Sequence, residues 1–240
     1  MRTPADVLAD LLRSDPARPR VTFYEDTPGP TAGERIELSG KVLANWVSKA
    51  ANALQEEWDV TPGSRVRLAL PAHWRALYWA LAVWSVGGCV VADPSGSGDD
   101  EPDLLVTDDP SLAAAADGPA VLVTLAALAR SAPDGAPPGV VDEARELATY
   151  ADQFTPWDEP TAADPALAVG GRTSAYGEVV PDRGWPSGTR VHTGAPGLAE
   201  VLLDALSAWA ADGSLVLSRG AVDDAALRAR LDAEGVTLER

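Results

Sequence analysis

Residues that could perform chemistry are sparse in this chain. His73 and His192 stand 119 positions apart with no base-orienting motif, which reads as structural rather than catalytic histidine, on the surface or half-buried. Cys89 is the single cysteine; it follows Gly88 in an apolar run and has no CxxC partner, so it reads as a small buried apolar group. Ser174 lies in no G-x-S-x-G elbow, and a hydrolase therefore has no nucleophile signature. The Asp99-Asp-Glu101 run and the Asp108-Asp109 pair lack EF-hand spacing and read as solvated loop charge, so no metal is expected. The Gly-Ser-Gly at Gly96 lacks the rest of a dinucleotide fingerprint. Gly170, Gly171, Arg172, Thr173, Ser174 to Gly177 directly follow the strand-like Ala166-Leu-Ala-Val169, a strand-to-loop placement that suits an anion. Amides converging after a strand can hold an anion, with Arg172 as the cation that offsets its charge. Glu178 works against this, because a carboxylate ~4 Å from a phosphate opposes binding by about 1 to 4 kcal/mol, depending on the effective dielectric.

The elements that would position these residues follow a repeat. Gly63 to Val91 aligns without a gap on Gly188 to Val216, at an offset of 125, with ten identities in 29 positions. Among them are Pro71 with Pro196, Leu77 with Leu202, Trp84 with Trp209 and Gly88 with Gly213. Each copy reads as a turn, a short strand, an apolar helix, a glycine and a second strand. Each copy is thus a βαβ unit, and the expected fold is α/β: two βαβ-based lobes of parallel sheet flanked by helices, approximately 1–150 and 160–240 of one domain spanning 1–240. Outside the repeat, helices are expected over Pro4 to Arg13 and from the N-cap Ser39 to about Gln55. Strands are expected at Val21 to Tyr24, Leu104 to Val106 and Ala120 to Val123, with a short helix from Ser111 through Ala116. Pro94 to Pro102, Ser131 to Gly139 and Thr155 to Asp164 read as connections. Trp74, Trp79 and Trp84 are five apart and share no helical face, which implies a helix covered on several sides.

Composition excludes several classes. The net charge is -17, from 36 acidic against 19 basic residues, so nucleic acid and anionic membranes are not expected partners. Asp6 and Asp10 interrupt the first apolar stretch, which argues against a signal peptide. The apolar run Ala76 to Ala92 is shorter than a bilayer span and contains Gly87-Gly88. A lone cysteine suits a reducing compartment, and the expected location is cytoplasmic.

An ordered series of short motifs adds a resemblance. Ile36-Glu-Leu38-Ser39, Ala50-Ala-Asn52-Ala-Leu54, Val60-Thr-Pro-Gly63-Ser-Arg65-Val66, Leu70-Pro71 and Val86-Gly-Gly88 to Asp93-Pro94 occur in that order. In this order they resemble the N-terminal region of the acyl-adenylate-forming superfamily of acyl-CoA synthetases, luciferases and peptide-synthetase adenylation domains. Asp164 to Leu167 looks like the strand before that family's phosphate loop. Gly188 to Val191 and Leu202 to Leu217 look like the helix and strand beyond it, and Val236-Thr237 like the point where the family continues.

The resemblance implies that Gly170, Gly171, Arg172, Thr173, Ser174 and Gly177 are a remnant of the ATP phosphate loop, with ATP or AMP as its ligand. Glu178 falls near the position where the family has a lysine. Only Lys41 and Lys49 are present, and the family's C-terminal catalytic lobe has no counterpart here. Phosphoryl chemistry depends on positioning and charge neutralisation, so the expectation is a non-catalytic scaffold, a pseudoenzyme that binds or regulates and needs no cofactor. The alternatives are residual AMP or acyl-adenylate binding, and ligase activity completed by a partner chain. For the scaffold, a face around Leu202, Leu206 and Trp209 is expected to be exposed and to form a homodimer or dock a protein partner.

Overall fold

The structure is a computed structural model and describes residues 2–92, 101–195 and 197–240. Asp93-Pro94, the Gly-Ser-Gly at Gly96, the Asp99-Asp100 part of the acidic run and Pro196 of the repeat lie outside the described residues. The chain begins with α1 (Pro4–Ser14), β1 (Pro19–Glu25), β2 (Arg35–Ser39) and α2 (Gly40–Trp58). Then come β3 (Arg65–Ala69), α3 (Trp74–Ser85), β4 (Cys89–Val91), β5 (Leu104–Thr107), α4 (Pro110–Ala114) and β6 (Ala120–Leu122). β7 (Val141–Asp142), α5 (Glu143–Glu146) and a 3-10 turn at Leu147–Thr149 lead to β8 (Pro165–Val169) and β9 (Arg172–Ala175). The last elements are β10 (Arg190–Thr193), α6 (Leu198–Ala210), β11 (Ser214–Arg219), α7 (Asp224–Ala233) and β12 (Leu238–Glu239).

Local chemistry explains the helix starts. Thr3 and Asp6 form a capping box on α1, with Pro4 at its first position. The hydroxyl of Ser39 accepts from the Val42 amide and starts α2, as its sequence position predicts. Leu43, Val47, Ala50 and Leu54 then recur at helical spacing and are buried, with Trp46 packed beside them.

The repeat is built as the sequence implies and extends beyond what the sequence shows. β3-α3-β4 and β10-α6-β11 are both parallel βαβ units, paired Arg65 to Cys89 and Arg190 to Ser214, the same register at the offset of 125. Each unit then pairs with a distant hairpin whose second strand is antiparallel. The seven-stranded sheet runs β7-β6-β5-β3-β4-β8-β9 and the five-stranded one β12-β10-β11-β1-β2. Val90 sits opposite Leu167 in one, and its repeat mate Leu215 sits opposite Val21 in the other. Both hairpins carry a register shift at the same place, Pro165/Leu167 and Pro19/Val21. The sheets therefore do not divide at 150–160: β1 and β2 join strands near the C-terminus, while β8 and β9 join the other sheet.

Tryptophans lock this arrangement. The Trp84 indole donates to the Ala166 carbonyl on β8 at 2.7 Å, and its repeat mate Trp209 donates to the Arg20 carbonyl on β1 at 3.0 Å. The turn that ends each helix is also held, by the Tyr176 hydroxyl on the Gly88 carbonyl (2.8 Å) and by Arg20 on the Asp212 carbonyl (2.8 Å). α3 touches α1, α2, α6 and strands of both sheets, and every residue from Trp74 to Trp84 is buried. That confirms a helix covered on all sides. It also overturns the expected interface: Leu202, Leu206 and Trp209 are at most 1% exposed, because α6 packs on α1 and α3 rather than on solvent.

Gly88 and Gly213 are repeat mates in unequal surroundings. A Cβ on Gly88 would press on methyl groups of the buried Val83 and Val60 at 3.1 and 3.2 Å, whereas one on Gly213 would collide with the backbone carbonyl of Thr189 and lie 2.8 Å from that of Ala208. Gly213→Ala should cost more than about 3 kcal/mol and Gly88→Ala about 1 kcal/mol, read from urea unfolding midpoints.

Candidate functional site

The stretch expected to hold phosphate is a tight hairpin. Gly170 and Gly171 form the two-residue turn between β8 and β9, with φ of 55° and 75°, the left-handed pair such a turn demands. Arg172 pairs with Val169 and Thr173 with Ala168 in the ladder, so what reads in sequence as a loop is an edge strand. Arg172 and Thr173 are exposed and Ser174 is half-buried. The amides that follow are already bonded: Tyr176 to the Asp164 carbonyl, Gly177 to Ala162, and Glu178 to Ala175, all at 2.9 to 3.0 Å. Glu178 is exposed, and no described cavity is lined by these residues.

The histidines and the thiol are interior. His73, 1% exposed, caps α3 through Nδ1, which accepts from the Arg75 amide at 3.2 Å, and its ring meets Phe23 edge-on at 4.4 Å. Burial, reinforced by the charges of Arg75 and Arg219, pulls its pKa down to about 3. His192 is also buried, its Nε2 3.2 Å from the Ser218 hydroxyl, and burial lowers its pKa. Neither histidine is a surface group, contrary to the sequence reading. Cys89 is fully buried and burial raises its thiol pKa, which makes it unreactive, as expected.

A crevice opens instead at the carboxyl ends of β5 and β6, beside the place where strand order reverses between β3 and β5. It encloses about 310 Å³ and is lined by Thr31, Asp108, Leu122, Thr124, Leu125 and Pro133, among others. Asp108 is half-buried here rather than solvated, as its sequence position alone suggested. Burial pushes its carboxyl up, against the smaller effects of its own backbone and of Arg219. Arg219 is itself engaged by Glu25 at 2.8 Å. Asp109, by contrast, caps α4 by accepting from the Ser111 and Leu112 amides.

Behind the crevice lies a buried charge cluster that sequence reasoning missed. Arg75 on α3 meets Glu143 on α5 at 2.9 Å, with side chains 3% and 0% exposed, and the Tyr78 hydroxyl donates to the same carboxylate. Burial pushes the Glu143 carboxyl up despite the neighbouring guanidinium. The other arm of Arg75 donates to the Ala126 carbonyl at 3.0 Å, fixing the segment that forms the crevice wall. No sequence signal marked this pairing, since its partners are 68 residues apart. Among the described residues no group of His, Cys, Asp or Glu could hold a metal ion, and no helix is long and apolar enough to cross a membrane.

Comparison with solved structures defines the class. An acyl-CoA synthetase of Brucella canis superposes over 98% of this chain with a TM-score of 0.74 at 16% identity. Klebsiella oxytoca NpsA in complex with 3-hydroxyanthranilyl-AMSN gives 0.67 over 100% of the chain at 16% identity, and the N-terminal domain of FACL13 from Mycobacterium tuberculosis 0.66 over 100% at 13%. This chain spans 46%, 47% and 62% of those chains, respectively. Its fold is that of the N-terminal region of the adenylate-forming ligases, as the motif order implied. No protein-family model matches the sequence. A Mycobacterium tuberculosis protein described as a TIGR03089 family protein is 33% identical over 235 residues, 96% of this chain and 95% of that one. The chain belongs to the TIGR03089 family.

His73 provides a pH test of the interior. The folded protein holds it neutral down to about pH 3, whereas the unfolded chain takes up a proton near the ordinary 6.5. Between those values the unfolded state binds more protons, so stability falls as pH drops from 6.5 toward 3, by on the order of a few kcal/mol. His73→Asn keeps a capping acceptor and removes the titration. Its urea midpoint should therefore fall less than that of the wild type between about pH 7 and about pH 4.

Proposed function

We propose that this protein is a non-catalytic member of the adenylate-forming fold, a pseudoenzyme that serves as a binding or regulatory module. The carrying observation is the hairpin at Gly170-Gly171, where the amides of Tyr176, Gly177 and Glu178 are bonded to carbonyls. A phosphate cradle needs several free amides aimed at one point and a cation beside them. Here Arg172 is the only cation within the stretch, and the exposed Glu178 carboxylate opposes a phosphate. Lys49 cannot substitute, since it is held by Asp152 at 2.9 Å and by the Ala148 and Tyr150 carbonyls. The working site is instead the crevice beside Asp108: apolar walls for the body of a small ligand, with the half-buried Asp108 carboxyl, and the exposed Asp134 at the rim, to orient a donor on it. The acidic surface and the single buried thiol support a cytoplasmic protein. A protein partner would meet the exposed Leu128 or Trp157, since the α6 face is covered.

Calorimetric titration of the purified chain with a non-hydrolysable acyl-adenylate analogue, and with AMP, should give no heat and leave the melting temperature unshifted. ATP–pyrophosphate exchange should stay at background. Micromolar binding that Arg172→Ala abolishes would overturn this reading and restore the hairpin as a nucleotide site. Exchange that appears only when a second protein is added would instead identify half of a split ligase.

A further inference from the structure

A second cavity, of about 110 Å³, lies between α2, α3 and the β6–β7 edge of the seven-stranded sheet, and it belongs to neither the crevice nor the hairpin. Its walls combine three aromatic rings, Trp58, Trp79 and Tyr150, with three carboxylates, Glu57, Glu143 and Glu146. Two of these carboxylates lack a cation: among the described residues neither Glu57 nor Glu146 forms an ion pair, while Glu143 is occupied by Arg75. Among the described residues, Glu57 accepts only the Tyr150 hydroxyl, at 2.9 Å. The third observation is an orphan donor. Trp79 is 0% exposed, and its indole Nε1–H has no acceptor among the described residues. A buried N–H left unpaired is destabilising, so an acceptor placed in the cavity that Trp79 lines would be favoured there.

We infer that this cavity is a binding site for a small amino alcohol, its ammonium held by the aromatic rings and the Glu57 and Glu146 carboxylates and its hydroxyl oxygen accepting from Trp79. Ring faces attract cations, and alkylated ammonium groups suit such cages because they are large and weakly hydrated. The same carboxylates act on Tyr150 in the cavity wall. Its hydroxyl is pushed well above the usual range by burial first, then by its bond to Glu57 and the charges of Glu57, Glu146 and Glu56. A bare metal ion fits less well, because among the described residues no three carboxylate or histidine side chains converge on one point. The chain's net charge of -17 draws cations toward the whole surface, so specificity has to come from the cage.

The test uses choline and ethanolamine as probes and neohexyl alcohol as the uncharged carbon isostere of choline, with the full chain in calorimetry and thermal melts. Choline or ethanolamine should bind saturably, and neohexyl alcohol should bind at least about tenfold more weakly. The combined substitution Glu57→Gln with Glu146→Gln, at exposed carboxylates that leave the core intact, should weaken choline by about three- to tenfold. Trp58→Leu, at a half-buried position, should weaken it by about tenfold while its own melting curve confirms folding. Three results would each overturn the inference: no saturable binding of either amine up to about 10 mM, equal affinity for neohexyl alcohol, or unchanged affinity in both variants. None of them bears on the crevice or on the nucleotide titration, which use other residues and other ligands.

Discussion

The rest of the structure depends on a pair of indole-to-carbonyl hydrogen bonds. A parallel βαβ unit leaves the outer edge of each of its two strands open, and in each half the edge of the second strand is filled by a hairpin from far away in sequence. Trp84 and Trp209 reach from the helix to the second residue of the incoming strand, Ala166 in one half and Arg20 in the other. Each bond is fully buried, so losing the donor would leave a carbonyl unsatisfied, at about 1 to 3 kcal/mol. Register follows from this: the residue one further along, Leu167 or Val21, sits opposite Val90 or Leu215, and a slip of one residue would move every side chain of the strand to the opposite face of the sheet.

Because both βαβ helices serve as clamps, their faces are used up internally. α3 is surrounded, α6 packs on α1 and α3, and the polar groups on them must be satisfied inside. Arg75 finds Glu143, Tyr78 and the Ala126 carbonyl, and His73 becomes a neutral cap. Positions able to meet a ligand are thereby pushed to the margins: the carboxyl ends of the strands beside Asp108, and the α2–α3 seam with its unpaired indole.

The same backbone economy shapes the hairpin at Gly170-Gly171. Two left-handed glycines close β8 onto β9 with no spare residues, and the next amides tie back to 162–164 and to Ala175. A longer loop could leave those donors free; this one uses them to finish the sheet edge. The solved structures share the fold over nearly the whole chain at 13 to 16% identity, so the fold tolerates wide change in sequence. What sits at the strand ends and turns is free to differ.

Local pattern alone decided a good deal. The 125-residue offset carried both βαβ units, since Gly63 and Gly188, and Gly88 and Gly213, stand at corresponding turns, and Trp84 and Trp209 make corresponding indole-to-carbonyl bonds. The Ser39 cap, the apolar stripe of α2 and the buried character of Cys89 were equally legible, because capping and 3.6-residue periodicity act over a few positions. Everything that required distant segments to meet was invisible. The short strand β9 hid inside a Gly, Ser and Thr stretch, and Leu202, Leu206 and Trp209 read as an open face because nothing in their neighbourhood names α1 and α3 as cover. Asp108 looked like solvated charge for the same reason. Its neighbours in space are set by sheet order, and the environment of a carboxyl depends on what packs against it rather than on what flanks it in the chain. Sequence thus determined the units and their turns. Tertiary structure decided which faces were covered and which polar groups were left facing a cavity, because burial is a property of the assembled layers.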